Sequence, residues 1–244
     1  MRIGVIGAGV MGSGIAQTLA QAGYETVGYD TSKEAVAQAG ELVRTGRYGF
    51  ERAVARGKVE RADADAALDR LSFTTDLDAA AAADLVVECV PEDLALKLEV
   101  FRDLDARAPA DTILASNTSG FPLTALAAVT SRPEKVVVWH WASPPPVMKF
   151  AEIVRTSRTA VETLERVCEV ASACGKNPVV VNDSPMHWGF VANRIYAAML
   201  REAGAVVGEG VASHEEVNQL MVDCFNWPVG PFAMVKGASS GWKE

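Results

Sequence analysis

The sequence holds three histidines, His140, His187 and His214. His140 ends a strand-like run, Lys135–Trp139 (KVVVW), and Glu152 lies in the next run, Phe150–Val154 (FAEIV). A chain folding back midway between them turns at Pro146, within Pro144-Pro145-Pro146, and sets the two side chains face to face. A neutral imidazole takes a hydroxyl proton near pH 7, as oxidation of an alcohol requires. A facing carboxylate fixes its tautomer and stabilises the imidazolium that forms. The plainer alternative is a buried histidine hydrogen-bonded within a strand. His214 sits in Ser213-His214-Glu215-Glu216, where Ser213 and Glu216 form a capping box, so it is expected at the surface. No spacing of His, Cys or Asp suggests a metal site, and no GxSxG nucleophile turn occurs.

A second constellation opens the chain. Gly7-Ala8-Gly9-Val10-Met11-Gly12 is a GxGxxG between an apolar run, Arg2–Ile6, and a helical pattern, Ser13–Ala22. Gly7 permits the tight turn, Gly9 lets a pyrophosphate approach the backbone, and Gly12 lets helix and strand pack closely. The free N–H groups of the helix start, Val10 and Met11 among them, suit phosphate oxygens. Asp30 closes the next run, Glu25–Tyr29. Its carboxylate suits both hydroxyls of an adenosine ribose and repels a 2′-phosphate, which favours NAD over NADP. Alternatively, Asp30 caps the helix that begins near Thr31.

The elements around these residues alternate between strand and helix. Strand, helix and strand within thirty residues form a βαβ unit of a parallel sheet. Thr31–Arg70 is polar, Ala-rich and too long for a plain crossover, so we expect a helical excursion broken at Gly46, Gly49 and Gly57. Its Arg44, Arg47, Arg52, Arg56 and Lys58 suit either a groove for an anion or a solvated face, and a solvated face is the commoner outcome. Further strands are expected at Leu85–Val90, Thr112–Ala115, Lys135–Trp139, Phe150–Val154 and Val179–Val181. Helices are expected at Asp93–Arg107, Leu123–Val129 and Thr159–Cys174. Continuous apolar strands imply burial on both faces, as in a Rossmann-type, doubly wound α/β sheet. After Asp183 only helical patterns follow, Phe190–Gly208 and Ser213–Phe225. The expected division is a dinucleotide-binding domain over 1–183 and a small all-α C-terminal domain over 184–244.

Composition narrows the class further. The 244 residues are 49% hydrophobic and 22% charged, which excludes disorder and collagen-like structure. A net charge of −8 disfavours nucleic acid and anionic membranes as partners. No apolar run is long enough to span a bilayer, and a strand starting at Arg2 leaves no room for a signal peptide. Four scattered cysteines suit a reducing compartment, so a cytoplasmic protein is expected. Apart from Ala79–Ala83, no repeat or low-complexity segment is present.

These residues resemble the L-3-hydroxyacyl-CoA dehydrogenase family from Met1 to about Phe232. The ordered motifs are GAGVMGSGIA at Gly7–Ala16, VVECVPEDLALK at Val86–Lys97, SNTS at Ser116–Ser119, HWASPPPVMKFAEIV at His140–Val154, FVANR at Phe190–Arg194 and WPVGPF at Trp227–Phe232. The resemblance implies His140 as catalytic base and Glu152 as its partner. It implies that Ser119 and Asn193 hold the substrate oxygen. It places Glu92 and Lys97 near the nicotinamide end of NAD, with Asn117 and Ser143 also on the cofactor side. The implied reaction is reversible oxidation of a 3-hydroxyacyl-CoA by NAD, in a homodimer.

Three departures stand out. Ser143 occupies a position usually held by Asn, and Trp141 and Ala142 alter the run after His140. Met186-His187-Trp188 interrupts the usual DxPGF, so His187 either contacts substrate or belongs to a lengthened helix start. The helical end after WPVGPF is short for the family, and the family's CoA contacts do not map clearly onto Thr31–Arg70. Two alternatives therefore accompany the thioester substrate. One is a free 3-hydroxy acid, as in gulonate or carnitine dehydrogenases. The other is a catalytically silent NAD-binding structural protein.

Overall fold

The computed structural model describes residues 1–240, with side chains through Val235. Its first compact unit is Met1–Phe190, and a second begins at Val191. The first unit is built on an eight-stranded sheet. The first three strands are β1 (Arg2–Ile6), β2 (Glu25–Tyr29) and β3 (Leu71–Thr74). After them come β4 (Leu85–Glu88), β5 (Ile113–Ser116), β6 (Val136–Trp141), β7 (Phe150–Arg155) and β8 (Asn177–Asn182). Their spatial order is β3-β2-β1-β4-β5-β6-β7-β8. All neighbours run parallel except β6 and β7, which are antiparallel.

Alternate residues of the central strands feed two separate cores, so the strands lack a polar face. Ile3, Val5, Leu85, Val87, Val137 and Trp139 pack beneath α1 (Val10–Gln21) and α8 (Val161–Ala173). Ile6, Val86, Leu114, Val136, Val138 and Val154 pack on the opposite face. There they meet α5 (Leu77–Ala81), α6 (Leu94–Arg107) and α7 (Leu123–Ala128). This is the doubly wound arrangement that continuous apolar strands imply.

The excursion between β2 and β3 contains three helices, α2 (Lys33–Thr45), α3 (Phe50–Ala55) and α4 (Arg61–Asp69). They close over a small core of Val43, Phe50, Ala64 and Ala67. Arg44, Arg47, Arg52, Arg56 and Lys58 all lie exposed on it, as a solvated face requires. Two elements of this region have no counterpart in the sequence-based expectation. β3 is a four-residue edge strand without a fully buried residue, and α5 overlaps the start of the alanine run.

Segment 184–190, expected with the helical region, belongs to the first unit. Gly189 donates its N–H to the Gly120 carbonyl, and Phe190 is buried in the sheet core. The second unit comprises α9 (Val191–Gly208), α10 (His214–Phe225) and α11 (Pro231–Ser240). Ser213 and Glu216 form the expected capping box at α10. The side-chain oxygen of Asn218 accepts the Phe232 N–H, and the His214 ring packs edge-on against Phe232 at 4.4 Å. The helix α11 was not anticipated from the sequence.

Candidate active site

The antiparallel pairing of β6 with β7 sets His140 directly opposite Glu152. Both side chains point to the face of Val138 and Val154, whereas Trp139, Trp141, Ala151 and Ile153 point to the other. His140 Nδ1 lies 3.0 Å from Glu152 Oε2, and both residues are buried. An ionised Glu152 accepts from Nδ1–H and leaves Nε2 with its lone pair. Phe150 meets the imidazole edge-on at 5.1 Å, and Phe190 approaches to 6.1 Å. The arrangement is a buried imidazole hydrogen-bonded to a carboxyl group, with aromatic rings beside it.

The glycine loop lies between β1 and α1. Gly7 has φ +100°, open to glycine without strain. A Cβ on Gly12 would sit 1.7 Å from the Gly7 carbonyl oxygen, so only hydrogen fits there. Space around Gly9 is open, and α1 starts with no side-chain cap on its N–H groups. These features fit a pyrophosphate. Asp30 Oδ2 accepts the Ala8 N–H at 2.9 Å, which ties the acid at the end of β2 to the loop. Asp30 does not cap α2. Ser32 does, accepting from the Ala35 N–H, so the capping alternative for Asp30 is corrected.

A buried polar network stands behind the loop that follows β5. Glu88 is 0% exposed and Lys97 1%. Lys97 Nζ donates to Glu88 Oε1 at 2.7 Å and the Val90 carbonyl at 3.1 Å, and lies 3.4 Å from Glu92 Oε2. Lys97 Nζ thus faces three protein oxygens, two of them on the carboxylates of Glu88 and Glu92. Ser116 Oγ and the Val90 N–H also donate to Glu88. Burial pushes the Glu88 carboxyl up, against the pull of Lys97 and of these donors. Glu92 Oε1 accepts from Thr118 Oγ1 at 2.6 Å and the Ser119 N–H at 2.9 Å. Asn117 Oδ1 accepts the Trp141 N–H at 2.9 Å, which joins this loop to the end of the His140 strand.

Glu88 and Thr118 escaped the sequence-based reasoning. The available signal for Glu88 was an acid inside an apolar strand. Ser143 lies half-buried in the turn after β6, and Asn193 is half-buried on the first turn of α9, in the second unit. His187 is exposed and turns back on Ser184, 3.5 Å from its hydroxyl, and the helix starts only at Val191. Trp188, 59% exposed, lies against Gly120, beside Ser119. A Cβ on Gly120 would sit 2.7 Å from the indole.

A doubly wound sheet with an uncapped glycine loop and an acid at the end of β2 is the frame of an oxidoreductase that binds a nicotinamide dinucleotide. Comparison with known proteins gives the family. Residues 2–184 match the NAD-binding domain of 3-hydroxyacyl-CoA dehydrogenase, and residues 189–242 match its C-terminal domain. A probable 3-hydroxybutyryl-CoA dehydrogenase of Bacillus subtilis is 42% identical over 96% of this chain and 79% of its own. The crystal structure of (S)-3-hydroxybutyryl-CoA dehydrogenase from Ralstonia eutropha superposes with a TM-score of 0.89. It is 38% identical, over 96% of this chain and 80% of that one. A Mesorhizobium japonicum 5-formyl-3-hydroxy-2-methylpyridine 4-carboxylate 5-dehydrogenase is 36% identical over 93% of this chain and 70% of its own. The chain belongs to the 3-hydroxyacyl-CoA dehydrogenase family, as an NAD-dependent enzyme with an NAD-binding first unit.

Removing Lys97 alone strands a buried carboxylate. Lys97→Met is expected to lower unfolding stability by about 3–5 kcal/mol. Glu88→Gln in the same chain should restore part of that loss. Urea denaturation of the single and double variants measures it, and an additive double variant would contradict the coupling.

Proposed function

We propose that the protein reversibly oxidises the 3-hydroxy group of a 3-hydroxyacyl-CoA to the 3-oxo compound, with His140 as general base and Glu152 as its partner. The single observation that carries this reading is the buried 3.0 Å contact between His140 Nδ1 and Glu152 Oε2, which leaves Nε2 to take a proton. NAD, when bound, supplies the two-electron acceptor. Residues Gly7–Gly12 and Asp30 hold its pyrophosphate and adenosine ribose, and Glu92, Asn117 and Ser143 lie toward its nicotinamide end, with Lys97 behind Glu92.

In the forward direction His140 Nε2 removes the hydroxyl proton as the C3–H bond breaks. The charge that forms on the imidazole is stabilised by Glu152 through Nδ1–H. Ser119 and Asn193 hold the substrate oxygen, and Glu92 keeps Ser119 in place through its backbone N–H. Phe150 and Phe190 keep water from the imidazole. In the reverse direction the imidazolium returns the proton to the carbonyl oxygen.

The first unit carries the cofactor, and the helical second unit, from Val191, pairs two copies into a homodimer. Exposed Ile195, Leu220 and Phe225 on that second unit support pairing. Four free thiols support a cytoplasmic location.

A second reading, oxidation of a free hydroxy acid, is favoured by the Met186–Trp188 insertion, which lays an indole beside Ser119. Comparing kcat/KM for 3-hydroxybutyryl-CoA with that for 3-hydroxybutyrate separates the two, and a preference for the free acid overturns the thioester assignment.

His140→Ala is expected to cut turnover by about 10²–10⁴-fold with NAD affinity nearly unchanged. Stopped-flow turnover and NADH fluorescence titration measure this, and near-normal turnover removes His140 from its role. Asp30→Ala is expected to weaken NAD by about 10–100-fold and to relax discrimination against NADP. An unchanged cofactor preference in binding titrations would show that Asp30 serves only the loop.

A further inference from the structure

Lys176, just ahead of β8, is 6% exposed, and it lies outside the machinery described above. Its Nζ donates to the Pro145 carbonyl at 2.6 Å and the Met148 carbonyl at 2.8 Å. It also lies 5.1 Å from the centre of the Trp141 ring. Among the described residues its hydrogen bonds go to carbonyls, and none to a carboxylate. Burial lowers the pKa of this ammonium, and Cys174 opposes the shift. A buried cation without an anion is costly to keep, so its contacts must be specific ones.

Those contacts converge on the turn between β6 and β7. Pro145 and Met148 belong to the segment that leaves His140 and returns to Glu152. Within it, Val147 and Met148 both donate their N–H groups to the Pro144 carbonyl. Trp141 is the residue after His140. Its backbone N–H is held by Asn117 and its ring lies under Lys176. Asn177, next to Lys176, donates its N–H to the Lys149 carbonyl. On the far side, Pro145 leans on α1: a Cβ at Gly14 would sit 3.1 Å from the proline ring. The turn is therefore gripped between the dinucleotide-binding helix and a single ammonium.

We propose that Lys176 is a positioning residue whose ammonium locks the β6–β7 turn and so holds His140 in register against Glu152. The catalytic side of this inference rests on the dehydrogenase reading above, whereas the lock itself is a property of the turn and is measured separately. Lys176 touches no reacting atom, so its loss should lower kcat and leave NADH affinity in place. Misplacing a catalytic group by about 1 Å costs on the order of 10²-fold in rate.

The experiment takes the full-length protein with Lys176→Met, which keeps the stem and removes the donors. Lys176→Gln is run beside it in case the Met variant does not fold, and Lys176→Arg serves as the conservative variant. Turnover of 3-hydroxybutyryl-CoA, NADH affinity by fluorescence, and amide hydrogen exchange of residues 142–149 are measured in each. The lock predicts kcat lower by about 10²-fold with NADH affinity within about twofold. It also predicts turn amides that exchange at least about tenfold faster, with both effects partly reversed in the Arg variant. Unchanged exchange, or kcat and NADH affinity falling together, overturns the proposal. A wild-type protein without turnover overturns the dehydrogenase reading alone, and faster exchange in the Met or Gln variant then still supports the lock.

Discussion

The hydrogen bond between His140 and Glu152 depends on one reversal in an otherwise parallel sheet. Five strand pairs up to β6 run in the same direction, and a parallel neighbour would have to come back through a long crossover. The short return into β7 instead places two residues of one continuous stretch opposite each other. Register then decides whether the proposed chemistry is available. A slip of one residue would turn Glu152 toward Trp139 and Ile153 on the other face and leave the imidazole without its anion. Burial raises the stakes, because an unpaired carboxylate in this core would be far more costly than one at the surface.

Polar contacts near the pair tie the surrounding loops to the strands and, at one point, to the end of β6. The loop after β5 is held from beneath by Glu88, through Ser116, and from the side by Glu92, through Thr118 and the Ser119 N–H. Asn117 of the same loop binds the end of β6. Lys97 contributes by bridging Glu88 and Glu92, the two acids that organise that loop. Asp30 plays a comparable part on the other side of the site, where it fixes the Ala8 N–H of the glycine loop. The loops are thus pinned by polar contacts anchored on a buried strand carboxylate, Glu88, and on Asp30 just past the end of β2, an arrangement that suits preorganised catalysis.

Much of this was legible in the sequence, for identifiable reasons. The glycine spacing and the acid after it are local patterns, and the fold around them follows from strands that are apolar on both faces. The facing of His140 and Glu152 could be read because both lie on one hairpin, where counting from the turn gives the register. The features that escaped depend on three-dimensional partners. β3 is short and half-exposed, so its residues carry no apolar run. The inward turn of Lys97 depends on Glu88, nine positions earlier and on a different element. Lys176 flanks an edge strand and reaches a turn some thirty residues away, which no periodicity reveals. The end of the first unit at Phe190 reflects tertiary burial of that ring, whereas the sequence pattern changes earlier, after Asp183.

The proposed proton transfer requires that Nδ1 of His140 carry its proton toward Glu152 while Nε2 stays bare for the alcohol. With three histidines in the chain, ¹⁵N-labelled imidazole spectra of the intact protein at neutral pH can be assigned by single replacement. We expect His140 to show a slowly exchanging, hydrogen-bonded Nδ1 proton that disappears in Glu152→Ala, which leaves no acceptor there. An Nε2-protonated ring, or an Nδ1 proton signal indifferent to residue 152, would contradict the pairing on which the proposed chemistry stands.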